Sequence, residues 1–176
     1  MKKNDWPIIH FIGLPGAGKT TMAIALSRVL KLPILRIGAF RAKQPASAEG
    51  EADAWLGLYQ ALSQKKWRNC ILETTGMNRR ECFLNSCFPL LGVVTIKLVA
   101  PRKVLLARVG RKPKNERGAD WQFSHTFPDK KAFVEKSFAH FKKLPGLIEI
   151  DTSRAGIRAT LKRLLLQLKF YDGYVR

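Results

Sequence analysis

The sequence predicts an α/β protein in which a parallel β-sheet is covered by helices on both faces. Apolar runs of strand length alternate with helical patterns along the chain, the order that parallel crossovers require. The stretch GLPGAGKTT, residues 13 to 21, joins the first run to the first helix. It satisfies the phosphate-binding pattern G-x-x-x-x-G-K-[ST] through Gly13, Gly18, Lys19 and Thr20.

The first strand is expected over residues 7 to 12, PIIHFI, where β-branched and aromatic residues run up to a glycine. After the lysine, TTMAIALSRVLK carries Ala23, Leu26 and Leu30 on one helical face. Four further apolar runs read as buried strands: LPILRI at 32 to 37, NCILE at 69 to 73, GVVTIKLVA at 92 to 100 and GLIEI at 146 to 150. Residues 48 to 65 repeat Ala52, Trp55, Leu58, Tyr59 and Leu62 at near-helical spacing. PRKVLLARV begins with a proline suited to a first helical turn. KKAFVEKSFAHFKKL forms a helix from about 130 to 144, and RAGIRATLKRLLLQLKF closes the chain. Ligands of such sheets bind at the carboxyl ends of the strands, where Gly13 and Glu73 both fall. Two long irregular segments, residues 38 to 47 and 111 to 129, are delivered to the same edge, and loops of that length are commonly functional or mobile.

A chain of 176 residues fits one domain, residues 1 to 176, long enough to bury about 70% of the surface its unfolded form exposes. MKKNDWP lacks the apolar core of a signal peptide, and no apolar run approaches the roughly 20 residues needed to cross a bilayer. The expectation is a soluble cytoplasmic protein with no membrane partner. Cys70, Cys82 and Cys87 are an odd set without metal-ligand spacing and read as reduced, partly buried thiols. The net charge of +19 and pI near 10.4 predict attraction to polyanions, nucleic acid among them, unless the charge serves solubility alone.

Glycines let the loop curl until several N–H groups point inward, and the following helix adds its positive end, so the segment forms an anion cradle. Pro15 stiffens it. Lys19 is expected to reach the outer phosphates, with the Thr20 hydroxyl ligating magnesium. The ligand implied is a nucleoside triphosphate, ATP or GTP, with Mg2+. At the end of the third strand, ILETTGMNRR delivers Glu73 to the sheet edge. A carboxylate there can order magnesium through a bound water, beside Thr20.

These residues carry a resemblance. GLPGAGKTT is similar to the G-x-P-G-[SA]-G-K-[ST] loop of the small P-loop kinases, a group that includes adenylate kinase-like, polynucleotide kinase-like, chloramphenicol phosphotransferase-like and zeta-toxin-like proteins. The resemblance spans the chain in element order, with close local matches at ETTGMNRR, at LVAPRKVLLARV and at IDTSRAG. It implies a three-layer fold on a five-stranded parallel sheet in the order 2-3-1-4-5, and transfer of the terminal phosphoryl group to an acceptor. It also implies a lid after the fourth strand, about residues 110 to 128, whose arginines close over the phosphates. Arg108 and Arg111 are then phosphate contacts, with Arg117 a third. Gly13, Pro15, Gly16, Ala17, Gly18, Lys19, Thr20 and Thr21 hold the phosphates, Asp151, Thr152 and Ser153 pack beside the base, and Arg79 holds the acceptor.

One departure matters. Many such kinases carry an aspartate just after the second strand to take the acceptor's proton, whereas LRIGAFRAK offers Arg36 and Arg41 there. Those arginines are substrate-binding candidates, and the base is open among Glu49, Glu51, Asp53 and Glu73, or is not required if the acceptor is itself a phosphate. Ser47 with Glu51 reads equally as a helix N-cap. Between Lys97 and Arg117 eight positive residues stand against one acid, and Arg154, Arg158, Lys162 and Arg163 add a basic helix face. Trp121, Phe123 and Phe127 interleave near them, a combination suited to stacked bases or to anchoring a loop, and His125 reads as an exposed loop residue. Two functions therefore stand: a kinase acting on a small molecule, nucleotide or nucleic-acid 5′ end, and a nucleic-acid-associated ATPase of the kind loosely grouped with AAA proteins. The acceptor is not legible.

Overall fold

A computed structural model describes residues 6–45, 47–77, 93–111, 129–144 and 148–172. Its elements follow in the order β1 (Ile8–Ile12), α1 (Lys19–Leu30), β2 (Ile34–Arg36), α2 (Ile37–Arg41), α3 (Ala48–Gln64), β3 (Cys70–Glu73), β4 (Val94–Val99), α4 (Arg102–Gly110), α5 (Lys130–Lys143), β5 (Ile148–Asp151) and α6 (Ile157–Asp172). The five strands form one sheet in the order β2-β3-β1-β4-β5, every pairing parallel. This is the predicted topology.

Strand β1 sits at the centre. Ile9 is paired with Ile71 on one side and with Val94 on the other, and Phe11 with Glu73 and Ile96. Side chains alternate across a strand, so Ile9, Phe11 and Ile71 enter one core cluster while Ile8, Cys70 and Leu72 enter another. The first cluster is completed by Leu26 of α1 and by Leu164 and Leu168 of α6, and the second by Trp55, Leu58 and Leu62 of α3. Leu105, Val109, Val134 and Phe141, from α4 and α5, join the first. Both faces of the strand are dry, which is why PIIHFI reads as an unbroken apolar run rather than an alternating one.

The helix faces match the spacing. Ala23 and Leu26 are fully buried, with Leu30 packed against their cluster. Ser47 caps α3 by accepting a hydrogen bond from the Gly50 N–H at 3.0 Å, and Asp129 caps α5 through Lys131 and Ala132. The segment expected to be irregular after β2 is instead a short helix, α2, and β2 itself is limited to Ile34–Arg36. Cys70 is a buried thiol whose burial pushes it up to about 11, so it is held protonated. Cys82 and Cys87 lie outside the described residues, as do the body of the expected lid, Trp121, Phe123, His125 and Phe127. Among the described residues no helix is long and apolar enough to cross a membrane.

The basic surface inferred from the sequence loses one member. Lys97, on β4, is 3% exposed, and its ammonium donates to the Lys142 and Leu144 carbonyls at 3.0 and 2.9 Å and pairs with Glu149 at 3.1 Å. It fastens the end of α5 to the sheet. Strand alternation turns this residue inward, which a count of charges along the sequence does not register. Arg154, Arg158, Lys162 and Arg163 are exposed as expected.

Leu26 is 0% exposed where α1 meets the sheet. Leu26→Ala should cost about 2 to 5 kcal/mol, through lost transfer energy and the cavity left behind. Urea denaturation checks it, and a loss below about 1 kcal/mol would show that α1 is not packed as described.

Candidate active site

The chain leaves β1 at Ile12 and turns through Gly13 to Gly18 into α1 at the carboxyl edge of the sheet. Gly16 has φ +83°, and a Cβ there would stand 2.7 Å from the Leu105 carbonyl, so both its backbone angle and its clearance exclude a side chain. Gly18 has φ +86° and caps α1 without a side-chain bond, leaving the first helical N–H groups unclaimed by a capping side chain.

A cavity of about 550 Å³ opens at this edge. Pro15, Gly16, Gly18, Lys19, Thr20 and Thr21 line it from the loop and the start of α1, Arg36 from the end of β2, Arg41 from the end of α2, and Glu73 from the end of β3. Arg108 of α4 and Thr152 after β5 complete the constellation. Thus the sheet brings together most of the residues singled out in the sequence. Gly13 and Ala17 do not line the cavity: the Gly13 carbonyl takes the Lys19 ammonium, and Ala17 is 1% exposed in the core. Asp151, Ser153 and Arg111 also stand outside it, Arg111 exposed at the C-cap of α4. Arg79, Lys112, Lys114 and Arg117 lie outside the described residues.

Lys19 folds back across the mouth of the loop. Its Nζ donates to the Gly13 carbonyl at 2.7 Å and to that of Leu14 at 3.3 Å. Behind it the Thr20 hydroxyl donates to Glu73 Oε1 at 2.7 Å. The other oxygen of that carboxylate stands 3.0 Å from Arg36 Nε. The pair is ionic but misaligned, so Glu73 Oε2 and Arg36 Nε, both buried atoms, have no hydrogen-bond partner among the described residues. A carboxylate beside a threonine hydroxyl, with one oxygen in ionic contact but no aligned hydrogen bond, offers oxygen ligands of the kind a hard divalent cation such as magnesium takes.

Arg108 is oriented by the backbone. Its Nη1 donates to the Gly16 carbonyl at 3.2 Å and to Thr152 Oγ1 at 3.0 Å, and its Nη2 to the Thr152 carbonyl at 2.7 Å. The Thr152 hydroxyl can in turn donate to the Ala17 carbonyl at 3.1 Å or that of Val99 at 3.3 Å. One arginine and one threonine thereby tie the loop after β5 to the phosphate loop. Asp151 holds that loop's turn: the Ser153 hydroxyl and then its N–H donate to the carboxylate, keeping it below the usual carboxyl range, with Arg154 and Arg108 adding to the effect.

Of the acids considered as a proton acceptor, Glu51 is bound by Arg41 at 2.8 and 2.6 Å and by the Trp55 indole at 2.8 Å. Glu49 and Asp53 are exposed on α3. None of the three lines the cavity, whereas Glu73 does. The contributions missed in the sequence are Thr74 and Thr75, α2 with Ile37 and Gly38, Lys130, Ala155 and Gly156 before α6, and Ile157 and Thr160 in its first turn. ETTG and IDTSRAG carried a signal for the first and last; the helical turn of α2 carried none.

No protein-family model matches the chain. A segment of 71 residues, 38% of this chain, is 30% identical to part of the Lon protease of Paraburkholderia phytofirmans, and covers 9% of that protease. Solved structures match far more of it. Shikimate kinase from Bacteroides thetaiotaomicron superposes with a TM-score of 0.63 at 15% identity, over 93% of this chain and 98% of the other. Shikimate kinase from Acinetobacter baumannii, in complex with shikimate, gives 0.61 at 19% identity over 95% and 94%. The APS kinase of Mycobacterium tuberculosis, in complex with AMPPNP and APS, gives 0.61 at 15% over 94% and 98%. The chain has the fold of the small P-loop kinases. Within that fold its departure is local: β2 of this P-loop kinase fold ends on Arg36, with Arg41 one helical turn beyond and no acid between them.

Under the site lies His10, fully buried on β1 and sharing a 2.7 Å hydrogen bond with Thr74 Oγ1. Burial drops its imidazole to about 3 from an ordinary 6.5. Between those values the unfolded chain binds a proton that the folded chain refuses. Stability therefore rises with pH through this window and is lost as pH falls, by up to about 1.4 kcal/mol per pH unit. His10→Asn should flatten that part of the curve. Urea titrations between about pH 4 and pH 7 test it, and an unchanged slope would assign the pH dependence elsewhere.

Proposed function

We propose that this chain is a magnesium-dependent phosphotransferase that moves the terminal phosphoryl group of ATP, or GTP, to an acceptor held near the end of β2. The observation that carries the reading is the Thr20–Glu73 contact of 2.7 Å, beside Lys19 at the mouth of a glycine-defined phosphate loop. The shikimate and APS kinases that share the fold, the latter with both AMPPNP and APS bound, support it through the fold.

The chain's own residues divide the work. Carbonyl oxygens hold Lys19 in the resting loop, and a charged phosphate oxygen is a stronger acceptor for it. The N–H groups of the loop and the first turn of α1 take the inner phosphates. Thr20 and Glu73 would hold magnesium, which would supply positive charge to offset the negative charge of the phosphates during transfer. Arg108, fixed by Gly16 and Thr152, keeps a guanidinium at the cavity wall and couples the base side of the site to the phosphate side. Such transfer asks for positioned cations more than covalent chemistry. The rival reading, a nucleic-acid-stimulated ATPase, draws on the +19 charge, the exposed basic face of α6 and the aromatic residues near the expected lid.

Lys19→Ala should abolish transfer of labelled terminal phosphate with the circular dichroism spectrum unchanged. Glu73→Gln should lower turnover by about 10-fold to 1000-fold, or about 1.4 to 4 kcal/mol. Incubating the protein with magnesium, labelled ATP and an acceptor panel is the test. Release of the label as free phosphate alone, whatever the acceptor, would overturn the kinase reading.

A further inference from the structure

Arg36 and Glu73 face each other because of the sheet's register. β2 pairs with β3 in parallel with Arg36 opposite Glu73, and each is the last residue of its strand. Ile71 and Leu72, both fully buried, hold that register from the core, so neither end residue can move past the other without shifting a strand. Glu73 is also the carboxylate that Thr20 reaches from the phosphate loop. It is therefore shared: one oxygen accepts from the Thr20 hydroxyl at 2.7 Å, and the other stands 3.0 Å from the Arg36 guanidinium.

We infer that Arg36 sets the metal affinity of the site, because it draws on the same negative charge of Glu73 that would hold magnesium. The inference rests on the metal role given above to Thr20 and Glu73. A divalent cation at that carboxylate meets like charge from a guanidinium already in contact with it. The Glu73 side chain is only 10% exposed, so little water screens the two cations from each other.

The guanidinium is placed to yield to the ion rather than to exclude it. Arg36 Nε and Glu73 Oε2 are buried atoms with no hydrogen-bond partner among the described residues, so their contact is charge without an aligned bond. The Arg36 side chain is 39% exposed and lines the cavity, which gives it room to turn. Such a pair compensates a carboxylate that would be costly to bury alone, without fastening it. The neighbouring guanidinium groups are oriented elsewhere: Arg41 by both oxygens of Glu51, and Arg108 by Gly16 and Thr152. Among the described residues Arg36 is the ion-pair partner of Glu73.

The test titrates Mn2+ alone into the full chain, with the free ion counted by electron paramagnetic resonance. Arg36→Gln should bind Mn2+ about 10-fold to 100-fold more tightly than the natural sequence, the scale on which one nearby charge moves an equilibrium at another. Arg36→Met supplies a second neutral variant, with circular dichroism to show that each is folded. Arg36→Lys keeps the charge and should stay closer to the natural sequence. Arg41→Gln, whose arginine belongs to Glu51, should change Mn2+ affinity less than about 3-fold. Combined with Glu73→Gln, Arg36→Gln should bind no better than Glu73→Gln alone, which places the gained affinity at this carboxylate. A gain in metal affinity is a readout that a merely structural role of Arg36 would not give. Unchanged or weaker Mn2+ binding in both neutral variants would overturn the inference, and label transfer to an acceptor by the natural sequence would then leave the kinase reading standing. Mn2+ affinity insensitive to Glu73→Gln in every background would overturn both the inference and the metal role it rests on.

Discussion

A strand paired on both edges and buried on both faces can neither slip in register nor tilt, and β1 is that strand. Its neighbours β3 and β4 are in register through Ile9, Ile71 and Val94, and its side chains feed two separate clusters. A one-residue slip would exchange the clusters' contents, so the positions at which β1 and β3 end are fixed by the core. Those ends are the loop entry at Gly13 and the carboxylate of Glu73. The 2.7 Å contact between Thr20 and Glu73, 53 positions apart in the chain, is a consequence of core packing as much as of local sequence.

Around that contact the site is held in a state that an anion would rearrange. Lys19 spends its donors on loop carbonyls, and Arg36 leans on Glu73 without a well-aligned bond. The carbonyl oxygens on Lys19 are weaker acceptors than a charged phosphate oxygen, whereas Arg36 already faces a carboxylate. Arg108 differs, because the Gly16 and Thr152 oxygens set its direction. Rigid and adaptable cations stand side by side, and the rigid one joins the loop after β5 to the phosphate loop.

The departure from the expected acid after β2 gains meaning from α2. That short helix turns Arg41 toward Glu51, so an acid that the sequence offered as a base instead serves as the arginine's anchor, with Trp55 completing its coordination. Each arginine at the end of β2 and on α2 thus has its own carboxylate, Arg36 facing Glu73 and Arg41 held by Glu51.

Local sequence determined the strands, the helices other than α2, the phosphate loop and the cap at Ser47, and the strand order once the resemblance was joined to it. These are legible because they depend on periodicity and on residues within one turn of each other: Ala23 and Leu26 share a helix face, and Gly18 precedes Lys19 whatever surrounds them. Tertiary structure alone decided that Lys97 is buried, that Glu51 is spent on Arg41 and Trp55, that Arg108 answers to Thr152, and that His10 lies beneath Thr74. Each of these is a pairing of polar groups brought together by packing, and the direction of a buried side chain is set by what the opposite element presents, which no spacing along one chain encodes.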